Sequence, residues 1–445
     1  MEKRTTELAA PHRPAAMEFI AGPDLEGAVV AVHNSTLMIS PLDLPAAYEH
    51  VAAVALRPAA VGPVGLELEY HVVDLHRPQR RVNHPELTAL IAGLPPLPEA
   101  SAVTMEPGGQ LELSSPPGAG VPRAIAGLQA DEAVVTEALR AAGFGLAPLG
   151  SDPARGPRRI TPVARYAAME RHFDAIGCGG AGRQMMTATA ALQVNVDAGP
   201  APSWAERLHH IHSLGPTLSA ISACSPYVAG HASGWRSMRQ QAWLGIDPAR
   251  TDPIPDRTDP CAAWAEYALA APVMLIRSLD GAPPESVANR VPFADWVSGA
   301  AMFYRRPTVD DLNYHLSTLF PPVRLRGYLE LRFLDAVPRA RWAALAAIVV
   351  TLIDDPVAAD EAAEAVGGVE GAWIAAARDG LDDVVMRRAG QRCLDIAARR
   401  CPPELRSAVE SYAELVERGR TPGDDLRDAV TACGPLAALV EATHA

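Results

Sequence analysis

The stretch Gly65-Leu-Glu-Leu-Glu-Tyr70 opens a run, 65–73, in which apolar and polar residues alternate. Alternation with a period of two is typical of a β-strand that is buried on one face. Because successive strand side chains point to opposite sides, Glu67 and Glu69 share one face and the leucines between them share the other. The stretch therefore predicts a strand with an aliphatic face for a core and an acidic face opposite it.

Three further segments repeat this pattern with acids, amides or arginine on one side. They are Gln110-Leu-Glu112-Leu-Ser114, Gln193-Val-Asn195-Val-Asp197 and Tyr328-Leu-Glu330-Leu-Arg332-Phe333. The predicted strands cover 65–73, 103–114, 187–197 and 326–334. Parallel strands are usually continuous apolar runs, so this alternation favours an antiparallel sheet. We predict an α+β fold with a curved, mainly antiparallel sheet, a polar metal-binding face, and helices packed on the other face.

Helical patterns occupy most of the remaining chain. They cover 44–56, 122–142, 203–223 (broken near Pro216), 261–279, 341–354, 381–400 and 403–418. No alternating run returns after Val337, so a helical C-terminal region is expected. We predict an N-terminal helical or irregular segment at 1–60, a catalytic domain at 61–340, and a helical region at 341–445 packed on it. The proline-rich stretches 94–98 and 247–260 are interpreted as loops near the site.

Composition excludes several classes of protein. The 445 residues carry a formal net charge of −13, which repels a nucleic-acid backbone. The sequence has neither a secretory h-region nor an apolar run long enough to span a bilayer, so we expect a cytoplasmic protein without membrane partners. Its six cysteines form no Cys-x-x-Cys pair, which favours reduced thiols over zinc ligands.

Lysine is almost absent, since Lys3 is the only one in the chain. A P-loop, a protein kinase and a pyridoxal enzyme each need a lysine in the site, so these classes are excluded. If the protein handles phosphates, arginine and metal ions must bind them.

The acidic face of the predicted sheet indicates a metal site. Any single segment fits a solvated strand face, but Glu67, Glu69, Glu112 and Glu330 together would crowd like charges unless cations lie between them. Carboxylate ligands suit Mg²⁺, or Mn²⁺, with phosphates completing the coordination, whereas zinc prefers histidine or cysteine. Arg332, on the same face as Glu330, is suited to clamp a phosphoryl group. Metal and arginine together form a phosphoryl-transfer apparatus.

These residues resemble the glutamate-cysteine ligase family of the glutamine synthetase superfamily, in its plant-type branch. The resemblance covers about residues 60–340. Its motifs are Gly65-Leu-Glu-x-Glu69, Glu106-Pro-Gly-Gly-Gln-Leu-Glu112, Arg165-Tyr-x-x-Met169, Met185-Met186 before Gln193-x-Asn195, Ser225-Pro-Tyr227, Gly234-Trp-Arg-Ser-Met-Arg239 leading to Trp243, Asp247 and Arg250, and Glu330-x-Arg332. The arginine-rich, lysine-poor chain is similar to the actinobacterial branch that makes γ-glutamylcysteine for ergothioneine biosynthesis.

The resemblance implies a function and a set of roles. The expected reaction is the ATP-dependent joining of the glutamate γ-carboxyl to cysteine. Metal ligands would be Glu67, Glu69, Glu106, Glu112 and Glu330; ATP would contact Gln193, Asn195 and Arg332; glutamate or neighbouring charge would contact Arg165, Arg239, Gln110 and Arg236; and Arg332 and Glu330 would be catalytic.

One position departs from the plant-type pattern. Ala188 stands where that branch has an arginine, so Arg183 or Arg236 is expected to compensate. Two other functions stay open. The acceptor could be another amine, because the strand motifs specify phosphate activation and not the nucleophile. The chain could also be a non-catalytic nucleotide-binding relative.

Three other patterns are interpreted as structural. Gly177-Cys-Gly-Gly-Ala-Gly182 matches a dinucleotide-binding fingerprint but follows a helical segment and not a strand. His209, His210 and His212 with Glu206 form only one copy of a metal-binding helix motif, whereas a di-metal bundle needs two. The Trp and Met residues at 235–243 are interpreted as core and not as an adenine platform.

Overall fold

An antiparallel sheet lies at the centre of the computed structural model, which describes residues 42–301 and 303–444. Its strands are β1 (Pro63–Asp74), β2 (Ala102–Met105), β3 (Leu111–Ser114), β4 (Gly118–Ala119), β5 (Phe144–Ala147) and β6 (Ala191–Val196). Next come the two-stranded pairs β7 (Tyr227–Val228) with β8 (His231–Ala232) and β9 (Leu275–Ile276) with β10 (Glu285–Ser286), and then β11 (Val323–Leu325) and β12 (Leu329–Asp335) of the main sheet. The main sheet has the order β11-β12-β6-β1-β3-β2, with β4 and β5 also paired to β1.

Helices lie between the strands and dominate the C-terminal part. The first group is α1 (Leu44–Ala55), α2 (His84–Ala92), α3 (Val121–Ala141), α4 (Ala164–Ala175), α5 (Gly179–Ala188), α6 (Trp204–Ser222), α7 (Met238–Leu244), α8 (Pro248–Thr251), α9 (Pro260–Ala270), α10 (Phe293–Ser298) and α11 (Val309–Leu316). After β12 come α12 (Arg339–Asp354), α13 (Pro356–Ala365), α14 (Trp373–Arg378), α15 (Val384–Arg400), α16 (Arg406–Glu417), α17 (Pro422–Cys433) and α18 (Pro435–Glu441). The predicted helical C-terminal region is confirmed.

The two faces of the sheet differ as the alternation predicted. Leu66 and Leu68 of β1 are fully buried, while Glu67 and Glu69 between them are partly exposed. Helices α3, α6 and α12 pack against β1, β12 and β6. The aliphatic face therefore forms the core under these helices, and the acidic face lies on the other side of the sheet, where its residues are partly or fully buried. The α+β architecture is confirmed.

Three of the predicted strands differ in extent from those of the structure. The run 103–114 is a hairpin, because Pro107, Gly108 and Gly109 (φ +82°) turn the chain between β2 and β3. Residues 187 and 188 end helix α5, so β6 begins only at Ala191. Gly327 (φ +80°) likewise makes a turn, and β12 begins at Leu329.

Two prolines explain the remaining differences among the helices. Helix α9 ends at Ala270, well before 279, because Pro272 follows and cannot continue it. Helix α6 runs through Pro216 without a break; the residues around this proline are buried, and their packing outweighs the lost hydrogen bond. The predicted loop at 247–260 contains the short helix α8. The helical prediction at 44–56 is confirmed by α1, whereas residues 1–41 of the predicted N-terminal segment lie outside the described residues.

No single helix among residues 42–301 and 303–444 is long and apolar enough to cross a membrane. Helices α12 and α13 reach that length and apolarity only as a pair bent by 97°, and most of α12 is buried inside the protein.

Truncation of a core leucine on β1 tests the importance of the aliphatic face. Leu66→Ala should lower the free energy of unfolding by about 2–5 kcal/mol, because Leu66 is 0% exposed and its removal leaves a cavity. Val385→Ala is the control: Val385 is 55% exposed, and its loss should cost less than about 0.5 kcal/mol. Urea unfolding measures both, and equal effects would contradict this description of the core.

Candidate active site

Strand pairing brings the predicted acidic residues onto one face of the sheet. Glu69 of β1 lies opposite Glu112 of β3, and Glu67 lies opposite Gln193 of β6. On the other side of β6, Glu330 of β12 lies opposite Asn195. Residues directly opposite each other in an antiparallel pair share a face. Segments far apart in sequence therefore converge on one face of the sheet.

Amides and hydroxyls hold three of the carboxylates in place. The Asn195 side-chain amide donates to Glu67 (2.8 Å), and the Gln193 amide donates to Glu69 (3.2 Å). Glu112 accepts from the hydroxyls of Thr104 and Ser114, both at 3.0 Å. These neutral donors orient the carboxylates without cancelling their charge.

The centre of this face has an excess of negative charge. Burial, together with the charges of neighbouring carboxylates, raises the pKa of Glu67 and of Glu112 to about 7. Burial raises the pKa of Glu106 well above its usual value, and Glu112 and Glu69 add to the effect. Burial also raises the pKa of Glu69, although Arg239 and Arg332 oppose it. These groups are thus poised to lose protons when a cation arrives.

Glu330 has the opposite environment. Its carboxylate accepts from the Arg324 guanidinium at 2.5 and 2.9 Å, and nitrogens of Arg326 and Arg332 lie at 3.4 and 3.2 Å. Burial alone would raise the pKa of Glu330, but the three guanidinium charges outweigh it and hold the pKa well below its usual range. The sequence reasoning missed Arg324 and Arg326. The alternation Val323-Arg-Leu-Arg326 was the available signal, since it marks a fifth strand with arginine on the polar face.

Arg332 reaches from this basic edge toward the acidic centre. One of its Nη atoms donates to the Gln193 side-chain oxygen at 2.7 Å, and its guanidinium lies 5.7 Å from the Trp243 ring. Arg239 donates to the Arg332 backbone carbonyl at 2.6 Å and lies 5.6 Å from the same ring. Trp243 is only half-buried. It packs against the buried cluster that contains Met238, in keeping with the interpretation as core, and its ring also lies beside the two guanidiniums.

Several predicted polar groups keep unused hydrogen-bonding capacity. Arg165 donates to Ser317 and lies over the Tyr314 ring at 4.5 Å. Gln110 is buried and donates to the Thr189 carbonyl at 2.7 Å. Among the described residues, buried polar atoms without a partner include Arg165 Nη1, Arg239 Nη1, Gln110 Oε1, Asn195 Oδ1 and Arg332 Nε. Such orphaned groups are costly unless a ligand satisfies them.

The two arginines expected to compensate for Ala188 lie elsewhere. Arg236 is ion-paired with Asp382 and Asp424 of the C-terminal region. Arg183 pairs with Asp174 at 2.7 Å on the surface. Both guanidiniums are thus engaged by carboxylates outside the acidic face, whereas Arg239 and Arg165 retain free donor atoms.

The patterns interpreted as structural have structural surroundings. Gly177 to Gly182 connects helix α4 to helix α5, so no strand precedes the glycines as a dinucleotide fold requires. His209 and His212 contact Asp256, and His210 contacts the Leu352 carbonyl.

The side-chain oxygens of this face fit a hard divalent cation in kind. They are carboxylates with raised pKa values and an amide oxygen, Asn195 Oδ1, that lacks a partner. As the side chains stand, no three His, Cys, Asp or Glu residues within 42–301 and 303–444 are grouped closely enough to hold an ion. Their oxygens instead accept hydrogen bonds from neighbouring side chains.

Carboxylates and arginines thus share one face of this antiparallel sheet. Comparison with known proteins gives the family. The model of glutamate-cysteine ligase family 2 matches residues 63–442, and the chain belongs to that family.

Its relatives include two mycobacterial enzymes and a solved structure. The chain is 50% identical to the glutamate–cysteine ligase EgtA of Mycolicibacterium smegmatis over 88% of this chain and 93% of the relative. It is 49% identical to EgtA of Mycobacterium tuberculosis over 90% of this chain and 94% of the relative. The glutamate–cysteine ligase of Francisella tularensis, solved in complex with AMP, has the same fold, with a TM-score of 0.55 and 14% identity over 87% and 88% of the two chains.

Charge crowding on the acidic face predicts that removing one charge stabilises the metal-free protein. The folded-state pKa of Glu112 is about 7 against an ordinary 4.5, so ionisation costs stability as pH rises through this window. At pH 8 in chelator, Glu112→Gln should therefore raise the free energy of unfolding by about 1–3 kcal/mol, and this gain should shrink at pH 5. Thermal unfolding at the two pH values measures it.

Glu330→Gln is the matched control. Because its arginines lower the pKa of Glu330, its ionised form stabilises the fold at neutral pH, and this stability is lost only as pH falls below the ordinary value. Glu330→Gln should accordingly destabilise the protein at pH 8. Destabilisation by both substitutions at pH 8 would refute the described charge distribution.

Proposed function

We propose that this protein is a cytoplasmic ATP-dependent ligase that joins the γ-carboxyl of glutamate to the amine of cysteine, and that its product, γ-glutamylcysteine, serves ergothioneine biosynthesis. Membership of glutamate-cysteine ligase family 2 supports the reaction, and the names of the mycobacterial relatives support the pathway. The observation that carries the proposal is the convergence of Glu67, Glu69 and Glu112 with Arg332 on one face of the sheet.

The proposed reaction has two steps. The glutamate γ-carboxylate attacks the γ-phosphorus of ATP, ADP leaves, and a γ-glutamyl phosphate forms. The cysteine amine then attacks the acyl carbon, phosphate leaves, the nitrogen loses a proton, and an amide results. Arg332 faces the transferring phosphoryl group, where its charge opposes the negative charge that develops on the oxygens.

Metal ions would be bound by the acidic residues of the face. The proposed ligands of Mg²⁺, or of Mn²⁺, are Glu67, Glu69, Glu106, Glu112 and Glu330. When bound, such an ion would supply positive charge that offsets the negative charge of the phosphates. The carboxylate oxygens of Glu330 are paired with Arg324 and Arg326. Glu330 could therefore bind a metal ion only after phosphates attract these guanidiniums away from it.

The remaining residues divide between nucleotide and glutamate. Gln193 and Asn195 lie on β6 between the acidic and basic strands, which suits contacts to ATP. Arg239 and Arg165 each offer a buried donor atom without a partner, which suits the α-carboxylate of glutamate. Gln110 contributes a buried amide oxygen without a partner for an amine. Arg236 remains a proposed contributor, but it would have to exchange Asp382 or Asp424 for substrate.

Two alternatives are separated by one assay. The protein is incubated with Mg-ATP, glutamate and a panel of amines, and ADP release is followed together with the mass of any amide. We expect glutamate-dependent ADP formation that requires cysteine. A different productive amine would identify another acceptor. No ADP with any amine, together with thermal stabilisation by Mg-ATP, would identify a non-catalytic nucleotide-binding relative.

Substitution of Arg332 tests the phosphoryl-transfer role. Arg332→Ala should lower kcat by about 10²–10³-fold and change the KM for glutamate much less, because its contact with the phosphoryl group strengthens in the transition state. Arg400→Ala is the control, since Arg400 pairs with Asp355 in the C-terminal region and should leave kcat unchanged. Steady-state ADP release measures both, and a wild-type kcat for Arg332→Ala would remove it from this role.

A further inference from the structure

Asp335 is a buried carboxylate to which the proposed reaction gives no part. It is the last residue of β12, the strand that carries Glu330 and Arg332, and it is 1% exposed. One of its oxygens accepts from the Ser225 hydroxyl (2.6 Å) and from the Cys224 backbone N–H (2.9 Å). The other accepts from the Ser237 hydroxyl at 2.8 Å. The carboxyl group of Asp335 is thus held by three donors from outside its own strand.

Both serines also form hydrogen bonds with helix α7. The Ser225 hydroxyl, which donates to Asp335, accepts from the Arg239 backbone N–H at 3.1 Å. Ser237 is the N-cap of α7, and its hydroxyl accepts from the Gln240 backbone N–H at 3.1 Å. The Met238 N–H donates to the Ser225 carbonyl at 2.9 Å. The first turn of α7 is therefore bonded to the end of β12 through this carboxylate, in addition to the direct bonds from the side chains of Arg239 and Gln240 to the carbonyls of Arg332 and Phe333.

The carboxylate of Asp335 is closely packed. A Cβ placed on Gly150 would lie 2.6 Å from the Asp335 carboxyl carbon, so the neighbouring backbone closes directly over it. Burial raises the pKa of Asp335, and the charge of Arg239 opposes this effect. Helix α7 carries Arg239 and Trp243, which form the wall beside Arg332. A shift of α7 would displace the free donor atom of Arg239 from the acidic face.

We propose that Asp335 is a positioning residue for substrate recognition, which acts through Ser225 and Ser237 to hold helix α7 so that Arg239 meets the carboxylate of glutamate. This inference rests on the proposed function for the identity of the substrate. Asp335 does not touch the substrate, so its effect is on binding and not on the phosphoryl transfer itself.

The alternative is that Asp335 only stabilises the fold. Asp131 provides the matched comparison, since it is 0% exposed and accepts from the backbone N–H groups of Glu99 and Ser101, both at 2.8 Å. Asp131 lies on α3, whose hydrogen bonds with these two residues do not involve α7. Loss of its charge should therefore destabilise the protein without altering glutamate recognition.

Steady-state kinetics separate the two roles. Asp335→Asn should raise the KM for glutamate about tenfold, with kcat and the KM for ATP within about twofold of wild type, whereas Asp131→Asn should leave all three unchanged. Ser225→Ala keeps the carboxylate and removes the link to Arg239, so it should raise the same KM by a smaller factor. If Asp335→Asn does not fold, the comparison of Ser225→Ala with wild type still tests the proposal. Equal KM values for glutamate in wild type and Ser225→Ala would overturn the proposal.

A double-mutant cycle and hydrogen exchange complete the test. If Ser225 and Asp335 act through Arg239, then Ser225→Ala should raise the KM no further in an Arg239→Ala background, and additive effects would overturn the proposal. Amides of residues 238–244 should exchange faster in Ser225→Ala than in wild type or Asp131→Asn. If the wild-type protein forms no ADP with glutamate, the proposed function fails. Hydrogen exchange then decides by itself whether Asp335 and Ser225 hold helix α7 in place, and unchanged exchange of residues 238–244 in Ser225→Ala would overturn that role.

Discussion

Repulsion among buried carboxylates is the interaction on which the arrangement of this site depends. Burying one uncompensated carboxylate is costly, and burying several side by side is more costly still. Glu67, Glu69 and Glu112 occupy neighbouring positions on β1 and β3, and each pKa is raised by burial and by neighbouring charge. The hydrophobic core under the sheet must therefore offset the unfavourable free energy of this face. The fully buried leucines on the opposite side of the same strands contribute that stabilisation.

Positive charge is distributed unevenly along the same face. The arginines gather around Glu330 at the β11–β12 edge, while the acids at β1 and β3 have only amide and hydroxyl partners. Strand β6, with Gln193 and Asn195, lies between the two zones. A phosphate chain is attracted to the arginine zone and a divalent cation to the acidic zone. The sheet thus presents complementary places for the two parts of a metal–nucleotide complex, and Arg332 reaches across the boundary to Gln193.

The sequence predicts which side chains of a strand share a face, but it does not predict the order of the strands in the sheet. Period-two alternation was enough to predict which side chains of β1, β3, β6 and β12 point away from the core, because that property is local. Which strands lie side by side depends on register across segments far apart in the chain, and no local pattern records it. Arg324 was missed because its strand has only three residues. Asp335 was missed for another reason, since its partners Ser225 and Ser237 lie about a hundred residues away.

The C-terminal helices gain a physical connection to the site through the segment that precedes α7. The backbone N–H groups of Arg236 and Ser237 donate to the carbonyls of Arg378 and Ala377 at the end of α14. The Arg236 side chain pairs with Asp382 and Asp424, so this segment is fixed from the C-terminal side by both charge and backbone bonds. From the sheet side, α7 is held by Asp335 and by the side-chain bonds of Arg239 and Gln240 to the carbonyls of β12. Helix α7 is therefore held between two parts of the chain, the sheet and the C-terminal helices.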